Sequence, residues 1–470
     1  MNSNDKKDIP IGWARTSLGD IAQYLNGRAF KAEEWEKDGL PIVRIQNLNN
    51  PNATYNYTNK IFEPRYKIKK GDILYAWSAS LGVYIWNDKE AWLNQHIFKV
   101  IPNLGINKKF IYYYLLKITT ELYDKTHGSG MVHITKGKFE ETNISLPPLK
   151  EQQRIVFKIE ELLSELDNAI ESLKTIWMQL KIYRQSVLKW AFEGKLTEKW
   201  RKGQIETGKD LLELSNIFSE EELLDKPKIP ESWRWAKLKS ISDIRGGVTK
   251  GRNFKDKRTI MLPYLRVANV QDGYLDLKEI KQIELLETEK SKYLLKENDI
   301  LYTEGGDKDK LGRGTIWRLQ IKDCIHQNHV FRARLNSDLI SPHFIAYYSQ
   351  TKAAKNYFYK NAKQTVNLAS INMKVLSNLV IPIPGHQEQL QIVQEIESRL
   401  SLCDNLEVTI EHSMKKAELL RQSILKKAFD GKLVLQDPND EPADLLLERI
   451  RNERVEKSNK TVKKPKRSTE

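Results

Sequence analysis

The chain has 470 residues, with 77 Lys and Arg against 62 Asp and Glu, a formal net charge of +15 at pH 7, and two cysteines. That length allows roughly two to four domains, each burying its own core, and the basic balance points to a polyanionic partner. Cys324 and Cys403 alone exclude a disulfide scaffold and suit a reducing cytoplasm, the expected location, while the opening MNSNDKKDIPIG shows no signal-peptide pattern and no stretch is apolar enough to imply a membrane.

The charge is sorted along the chain. Residues 1–150 carry about +6 and 229–386 about +11, whereas 151–228 and 387–450 carry about −2 and −5, and the last twenty about +5.

Residues 1–146 form a first block, opening on IPIGW (Ile9–Trp13). Its runs VRI, DILYAW and HIFKVIP, β-branched or aromatic and bounded by Gly, Pro and Asn, predict strands, and FIYYYLLKITTELY predicts a helix with an aromatic face. Residues 147–200 follow as a long helix. Pro147 and Pro148 bar continuation from the preceding strand. Beyond them Ile159, Leu163, Leu166, Ile170, Leu173, Trp177, Leu180 and Val187 step by fours and threes, with Arg184 occupying a seam position. A 3.5-residue repeat sustained this long predicts a coiled-coil seam, ended by Gly194 as C-cap. Residues 201–228 read as a linker.

Residues 229–381 restate the first block's phrases in order: IPESW, LPYLRVANV for LPIVRIQNL, NDILY for GDILY, QNHVFRA for NQHIFKV, and FIAYY for FIYYY. Between these anchors the loops differ in length and composition. Residues 382–435 restate the helix. Glu388–Leu433 matches Glu151–Leu196 without gaps at about 20 of 46 positions, which only a duplication explains. Its seam is Ile396, Leu400, Cys403, Ile410, Met414, Ala417 and Ile424, with Glu407 and Arg421 in seam positions and Gly431 as C-cap. LKWAFEGKL (Leu188–Leu196) returns as LKKAFDGKL (Leu425–Leu433). Residues 436–452 predict a C-terminal helix and 453–470 a disordered basic tail. The pattern predicts an α+β fold in which two similar domains in tandem are separated by two long helices. The seams allow two separate homodimeric coiled coils, but pairing of the two helices with each other is the expectation, because linkage raises their local concentration. Leu162, Trp190 and Phe192, outside the seam, are expected to remain as apolar surface for a partner.

This layout resembles the specificity subunit of Type I restriction–modification systems, over about residues 9–452. The likeness rests on the doubled blocks, on PPLKEQQRIV (Pro147–Val156) opening the first helix, and on the exits GKLTEKWR (Gly194–Arg201) and GKLVLQDPNDEPADLLLERI (Gly431–Ile450). The second opening, IPIPGHQEQLQIV, departs slightly, its Glu–Gln pair lying two residues further from Pro382. The resemblance implies two target-recognition domains, each reading half of a split, asymmetric sequence in double-stranded DNA. The paired helices, antiparallel in that family, would form a ruler and a platform for two modification subunits, with restriction (motor–nuclease) subunits joining. The chain itself would be no enzyme and bind no cofactor; S-adenosylmethionine, ATP and Mg would belong to the partners, whose assembled complex would methylate adenine and cleave DNA with ATP.

The residues agree with a non-catalytic reading. No Asn/Asp-Pro-Pro-aromatic loop for a flipped base is present, and Gly246–Gly251 lacks the Lys-Ser/Thr that ends a phosphate-binding loop. Glu279-Ile280-Lys281 is half of a nuclease site, expected by chance in so charged a chain. Cys324, His326 and His329 have no fourth ligand, and alternation along a strand splits them between faces, so no metal is expected.

Candidate DNA contacts lie in the loops between anchors, where small residues admit the duplex and polar ones reach phosphates or base edges. They are Arg28 and Lys31 after the first strand pair and, in the matching loop, Lys250, Arg252 and Lys255; Ser78 and Ser80 after GDILYAW; Lys308, Lys310 and Arg313 after NDILY; and Ser129, Lys363 and Gln364 before each block's final strand. Asn94–Gln95–His96 and Gln327–Asn328–His329 recur in both blocks and read as framework. Two alternatives compete: a restriction–methylation protein whose catalytic half lies elsewhere, and a coiled-coil nucleic-acid-binding scaffold unlinked to restriction–modification. One domain per half-site fits a split duplex target better than either.

Overall fold

The structure, a computed structural model, describes residues 9–50, 52–78, 80–125, 135–203, 218, 226–255, 257–306, 311–364 and 369–462. Six helices of eight residues or more lie among them: α1 (Lys108–Lys125), α2 (Leu149–Phe192), α3 (Pro342–Ser349), α4 (Lys352–Asn361), α5 (His386–Phe429) and α6 (Ala443–Val462). Among the described residues no helix is long and apolar enough to cross a membrane. The chain divides into two compact units, Met1–Leu173 with His412–Glu470, and Lys174–Glu411.

In the first unit the strands are β1 (Ala14–Ser17), β2 (Ala22–Asn26), β3 (Leu40–Val43), β4 (Asn56–Thr58), β5 (Lys67–Ile68), β6 (Ile73–Ala76), β7 (Gly82–Ile85), β8 (Ala91–Leu93), β9 (Ile97–Pro102) and β10 (Asn143–Leu146). They form an antiparallel sheet in the order β2-β9-β6-β7, a mixed sheet β4-β3-β8-β5 with β3 and β8 parallel, and the pair β1-β10. The second unit holds β11 (Arg234–Lys237), β12 (Ser242–Gly246), β13 (Thr259–Leu265), β14 (Lys281–Leu286), β15 (Ile300–Thr303), β16 (Gly305–Gly306), β17 (Gly314–Ile316), β18 (Ile325–His326), β19 (Val330–Leu335), β20 (Lys363–Gln364), β21 (Ala369–Ser370) and β22 (Val380–Ile383). Its sheets repeat the first topology except for β5, which has no counterpart among the described residues: β12-β19-β15-β17, then β14-β13-β18 with β13 and β18 parallel, and β11-β22. The small sheet β16-β21-β20 has no counterpart among the first unit's described residues.

The echoed phrases are the joints of this frame. In GDILY and NDILY the first residue adopts a left-handed conformation, Gly71 at φ +89° and Asn298 at +66°, the region that Gly and Asn tolerate best. The Asp after it accepts the backbone N–H three residues upstream, Lys69 to Asp72 (3.0 Å) and Lys296 to Asp299 (2.7 Å). In LPIVRIQNL and LPYLRVANV a buried Asn closes the turn after the strand, accepting from Arg44 N–H (3.0 Å) at Asn47 and from Arg266 N–H (2.9 Å) at Asn269.

The Glu–Gln pair that opens each long helix is fully buried. Gln152 donates to the Pro147 carbonyl (3.0 Å) and accepts from Asn107 N–H (2.9 Å); Gln389 donates to Pro384 (2.9 Å) and accepts from Ser341 N–H (2.8 Å). Pro384, not Pro382, is therefore the counterpart of Pro147. The apparent two-residue departure disappears once the strand ends are matched.

Each unit contains part of both long helices, and in each they run antiparallel. In the second unit seam Arg184 bonds to Glu407 (3.1 Å) and to Asp404, while further along the first helix's exit Thr197 and Arg201 reach Glu388, near the other helix's start (2.7 and 2.9 Å). In the first unit Arg421 bonds to Asp167, and Gln436 reaches back to Glu151 (3.3 Å). The seam positions Ile396, Cys403, Ile410, Ala417 and Ile424 are buried at successive heptads, as the periodicity predicts. The polar seam positions are occupied by guanidinium–carboxylate pairs, which satisfy a charge that a purely apolar seam would leave alone.

The doubled LKxAFxGKL phrase is a helix end inserted into a block. In the second unit Phe192 packs on Phe344 and Tyr348 (ring centroids 4.9 and 5.1 Å), and in the first Phe429 packs on Phe110 and Tyr114 (5.3 and 4.8 Å). Burying each such ring stabilises by about 1.5–3 kcal/mol. The structure thus corrects one expectation: Phe192 is core, Leu162 is packed against the first unit's core, and only Trp190, 37% exposed, keeps apolar surface. The helix then stops in a left-handed glycine, Gly194 (φ +71°) or Gly431 (φ +68°). The next residue's N–H returns to the carbonyl five residues back, Lys195 to Trp190 and Lys432 to Lys427 (both 2.8 Å).

A second correction concerns the C-terminus. Helix α6 runs to Val462, ten residues past the expected end at 452, into the segment read as disordered. Leu446, Leu447 and Ile450 anchor its start in the first unit's core, and the following ERIRNERVEKSNK holds no Gly or Pro to stop it. Of the linker expected over 201–228, most lies outside the described residues, and Glu198–Lys202 forms one helical turn.

Candidate nucleic-acid interface

The register of each four-stranded sheet gathers the candidate loops at one end. In the first unit Asn26 pairs with Phe98, Ala76 with Ile97, and Ala76 with Gly82. The loops after β2, between β6 and β7, and before β9 therefore leave the same edge. In the second unit Gly246 pairs with Phe331, Thr303 with Val330 and Tyr302 with Gly314, so the equivalent loops also emerge together. A glycine lets the first loop lie against the strand corner: a Cβ on Gly27 would stand 2.2 Å from the Asn94 carbonyl oxygen, and one on Gly247 1.9 Å from that of His326.

Within these loops the candidates differ in freedom. Arg28 is held on both sides. Its backbone N–H donates to Leu93 (2.8 Å), and its guanidinium makes a bidentate pair with Glu34 (2.8 and 2.7 Å) while lying 4.2 Å over the Phe62 ring. Hydrogen bonds from Arg28 and from Lys31 N–H hold the Glu34 carboxyl down at about 2. The Lys31 side chain is exposed. In the second unit Val248 takes the backbone position of Arg28, its N–H donating to His326 (2.8 Å). Arg252 is bound instead to Glu289 (2.9 and 3.1 Å) and lies 4.9 Å over Phe254. Lys250 and Lys255 are exposed.

Ser78 and Ser80 are half-buried, and Ser80 accepts from Asn49 (3.2 Å), which accepts in turn from the Tyr84 hydroxyl (2.5 Å). Asn49 and Tyr84 belong to the same polar cluster and were not singled out from the sequence, because nothing in their spacing links them to Ser80. In the second unit Lys363 and Gln364 are exposed on β20, joined through β21 to Gly305–Gly306 just after Thr303. The pairing thus brings Lys363 and Gln364 to the sheet end that carries Arg313, whose N–H donates to Thr303 Oγ1 (3.1 Å) and whose guanidinium donates to Gln271 (2.5 Å). Ser129, Lys308 and Lys310 lie outside the described residues.

The framework residues have framework partners. His326 is buried, bonds through Nδ1 to the Val330 carbonyl oxygen (2.7 Å), and is pushed down to about 4 by that burial. Cys324 donates to the Ile325 carbonyl (3.5 Å), and burial pushes its thiol up to about 12. His329 is engaged by Glu304. Among the described residues no group of three or more His, Cys, Asp or Glu side chains is arranged to hold a metal ion.

The profile of a family described as "Type I restriction modification DNA specificity domain" matches residues 10–181 and again 230–421. The Type I restriction enzyme EcoBI specificity subunit of Escherichia coli is 29% identical over 487 residues, covering 99% of this chain and 97% of that protein. The EcoKI specificity subunit of Escherichia coli (strain K12) is 26% identical, covering 97% and 99%. Among solved structures, a chain from work on complex assembly and conformational transition of the type I R-M system superposes with TM-score 0.62 at 18% identity, over 91% of this chain and 100% of that one. The HsdS subunit from Thermoanaerobacter tengcongensis superposes with TM-score 0.53 at 18% identity, over 91% and 99%.

Proposed function

Because the chain belongs to the Type I restriction–modification DNA specificity family, each matched segment spanning one block and much of the long helix after it, we propose that it reads a bipartite, asymmetric duplex target with one unit per half-site. The observation that carries this reading is a frame written twice with different loops at the same sheet end. Strand order, turn-closing Asn and Asp, and helix-start Gln are common to both units. What differs is the chemistry of the loops, which is where two half-sites of different sequence require difference.

In this reading the chain performs no catalysis and binds no cofactor. It positions DNA for two modification subunits, to which S-adenosylmethionine belongs, while restriction subunits supply ATP- and Mg-dependent cleavage. Exposed apolar side chains on the two long helices, Phe157, Ile182, Val408 and Leu419, each at least 66% exposed, offer those subunits a surface that water would otherwise hydrate. Adenine-methylation mapping of DNA exposed to the chain with its modification partner tests the proposal. One split motif with a constant gap is expected; a contiguous motif, or methylation unaffected by exchanging residues 9–145, overturns it.

A further inference from the structure

We propose that the second unit carries a site for a phosphate-type oxyanion, formed by Arg318, His343, Tyr347 and Gln350. These residues line a cavity of about 220 Å³ between the end of β17, helix α3 and the turn at Gly273. That is below the roughly 300 Å³ at which pockets for drug-sized ligands begin, so it suits a small group.

The lining is rich in donors. The exposed Arg318 guanidinium has no hydrogen-bond or ion-pair partner among the described residues, nor does the half-buried His343 ring. Gln320, also on the wall, spends its amide oxygen on Arg318 N–H (2.9 Å), leaving its NH2 to donate. No carboxylate lines the cavity; Glu397 lies behind it, accepting from the Tyr347 hydroxyl (3.5 Å). Burial and the Arg318 charge, opposed by Glu397, hold His343 below its ordinary value. The planar Arg318 guanidinium can meet a phosphate with paired N–H donors, with the His343 ring and the Gln320 amide beside it, while Gln350 spends one amide N–H on the Ala346 carbonyl (3.5 Å).

The frame does not require these residues. Matching FIYYY to FIAYY, and Trp86 to Trp317 by their shared N–H bonds to Asp72 and Asp299 (both 2.8 Å), puts Asn87, Lys109, Tyr113 and Leu116 at the corresponding places in the first unit. There Lys109 is consumed by Glu160 (2.6 Å), and only the Tyr113–Glu160 contact (3.5 Å) repeats. The free donors are therefore particular to the second unit.

Two sources fit this chemistry, a phosphate of the DNA backbone and free phosphate, and the DNA arm rests on the function proposed above. The full chain and its Arg318→Gln and His343→Gln variants are titrated with inorganic phosphate by calorimetry, and with target DNA across a salt series. A free-phosphate site predicts phosphate binding weakened at least about tenfold in both variants, with an unchanged salt slope. A DNA-phosphate site predicts a slope of log K on log[salt] smaller by about one in Arg318→Gln, with the recognised sequence unchanged. Variants that keep their circular dichroism yet alter neither quantity overturn the site. Methylation mapping of the unmodified chain separates that failure from failure of the DNA reading itself.

Discussion

Arg28 and Lys31 stand three residues apart in one loop, yet their surroundings differ. Arg28 is committed to Glu34 and to the Phe62 ring, whereas the Lys31 side chain is exposed. Replacing Arg28 by Ala should lower the melting temperature by about 2–4 °C, because an ion pair and a cation–π contact are lost together. Lys31→Ala should leave the melting temperature unchanged and reduce the salt slope of DNA binding by about one, the signature of a lost phosphate contact. The pair also sets an acid dependence. Glu34 is depressed from 4.5 to about 2 in the folded chain, so its contribution to stability is present above pH 4.5 and is lost as pH falls from there toward 2. Melting curves of the unmodified chain and of Glu34→Gln should differ at pH 6 and converge as the pH approaches 2; a constant gap would show that the ion pair does not form.

At the scale of elements, the junctions are where the duplicated sequence is most constrained. Gly194 and Gly431 combine a left-handed backbone with a proline ring in the way: a Cβ would stand 2.5 Å from Pro230 Cγ in one unit and 2.3 Å from Pro10 Cγ in the other. Those prolines belong to IPESW and IPIGW, so each repeated phrase fits the opening of a block. Gly194→Ala and Gly431→Ala should each destabilise by about 2 kcal/mol or more, from backbone strain plus displacement of the proline. Gly203→Ala, where the backbone is right-handed and the nearest atom is at 3.5 Å, should stay within about 0.5 kcal/mol. Urea unfolding midpoints make the comparison, and equal effects at all three sites would refute the role assigned to the helix ends.

For the whole molecule, the proposed reading makes the gap between half-sites depend on helices that pair antiparallel, so both must be lengthened together to keep the seam in phase. One added heptad in each, after Leu173 and after Glu411, extends the pair by about 10.5 Å, near three base pairs, but those base pairs rotate the second half-site by about 100°. Three heptads in each add about 31 Å, near nine base pairs, and nine base pairs come close to a full turn of DNA. The three-heptad chain should therefore methylate targets whose spacer is longer by about nine or ten base pairs, with both half-site sequences unchanged. The one-heptad chain should be much weaker at every spacer. Retention of the original spacer by an active three-heptad chain would mean that the helices do not set it.

The sequence by itself determined the doubled frame, the two long helices and their seam, the glycine stops and the family, because each is written in local periodicity or in phrases that a duplication preserved. Only the tertiary structure decided that the helices run antiparallel, since a 3.5-residue repeat is the same read in either direction. The same holds for Phe192, which lies off the seam and is buried by a helix more than 150 positions away. That Arg28 and Arg252, both candidate DNA contacts, also pair with Glu34 and Glu289 was likewise decided by the fold, because loop composition does not show which acid each will meet. The Glu–Gln pair looked like a family signature, and its task of tying strand end, helix start and block together became visible only when residues distant in sequence were brought within hydrogen-bonding distance. Pattern along a chain records which face is apolar; which partner covers that face is a property of the fold.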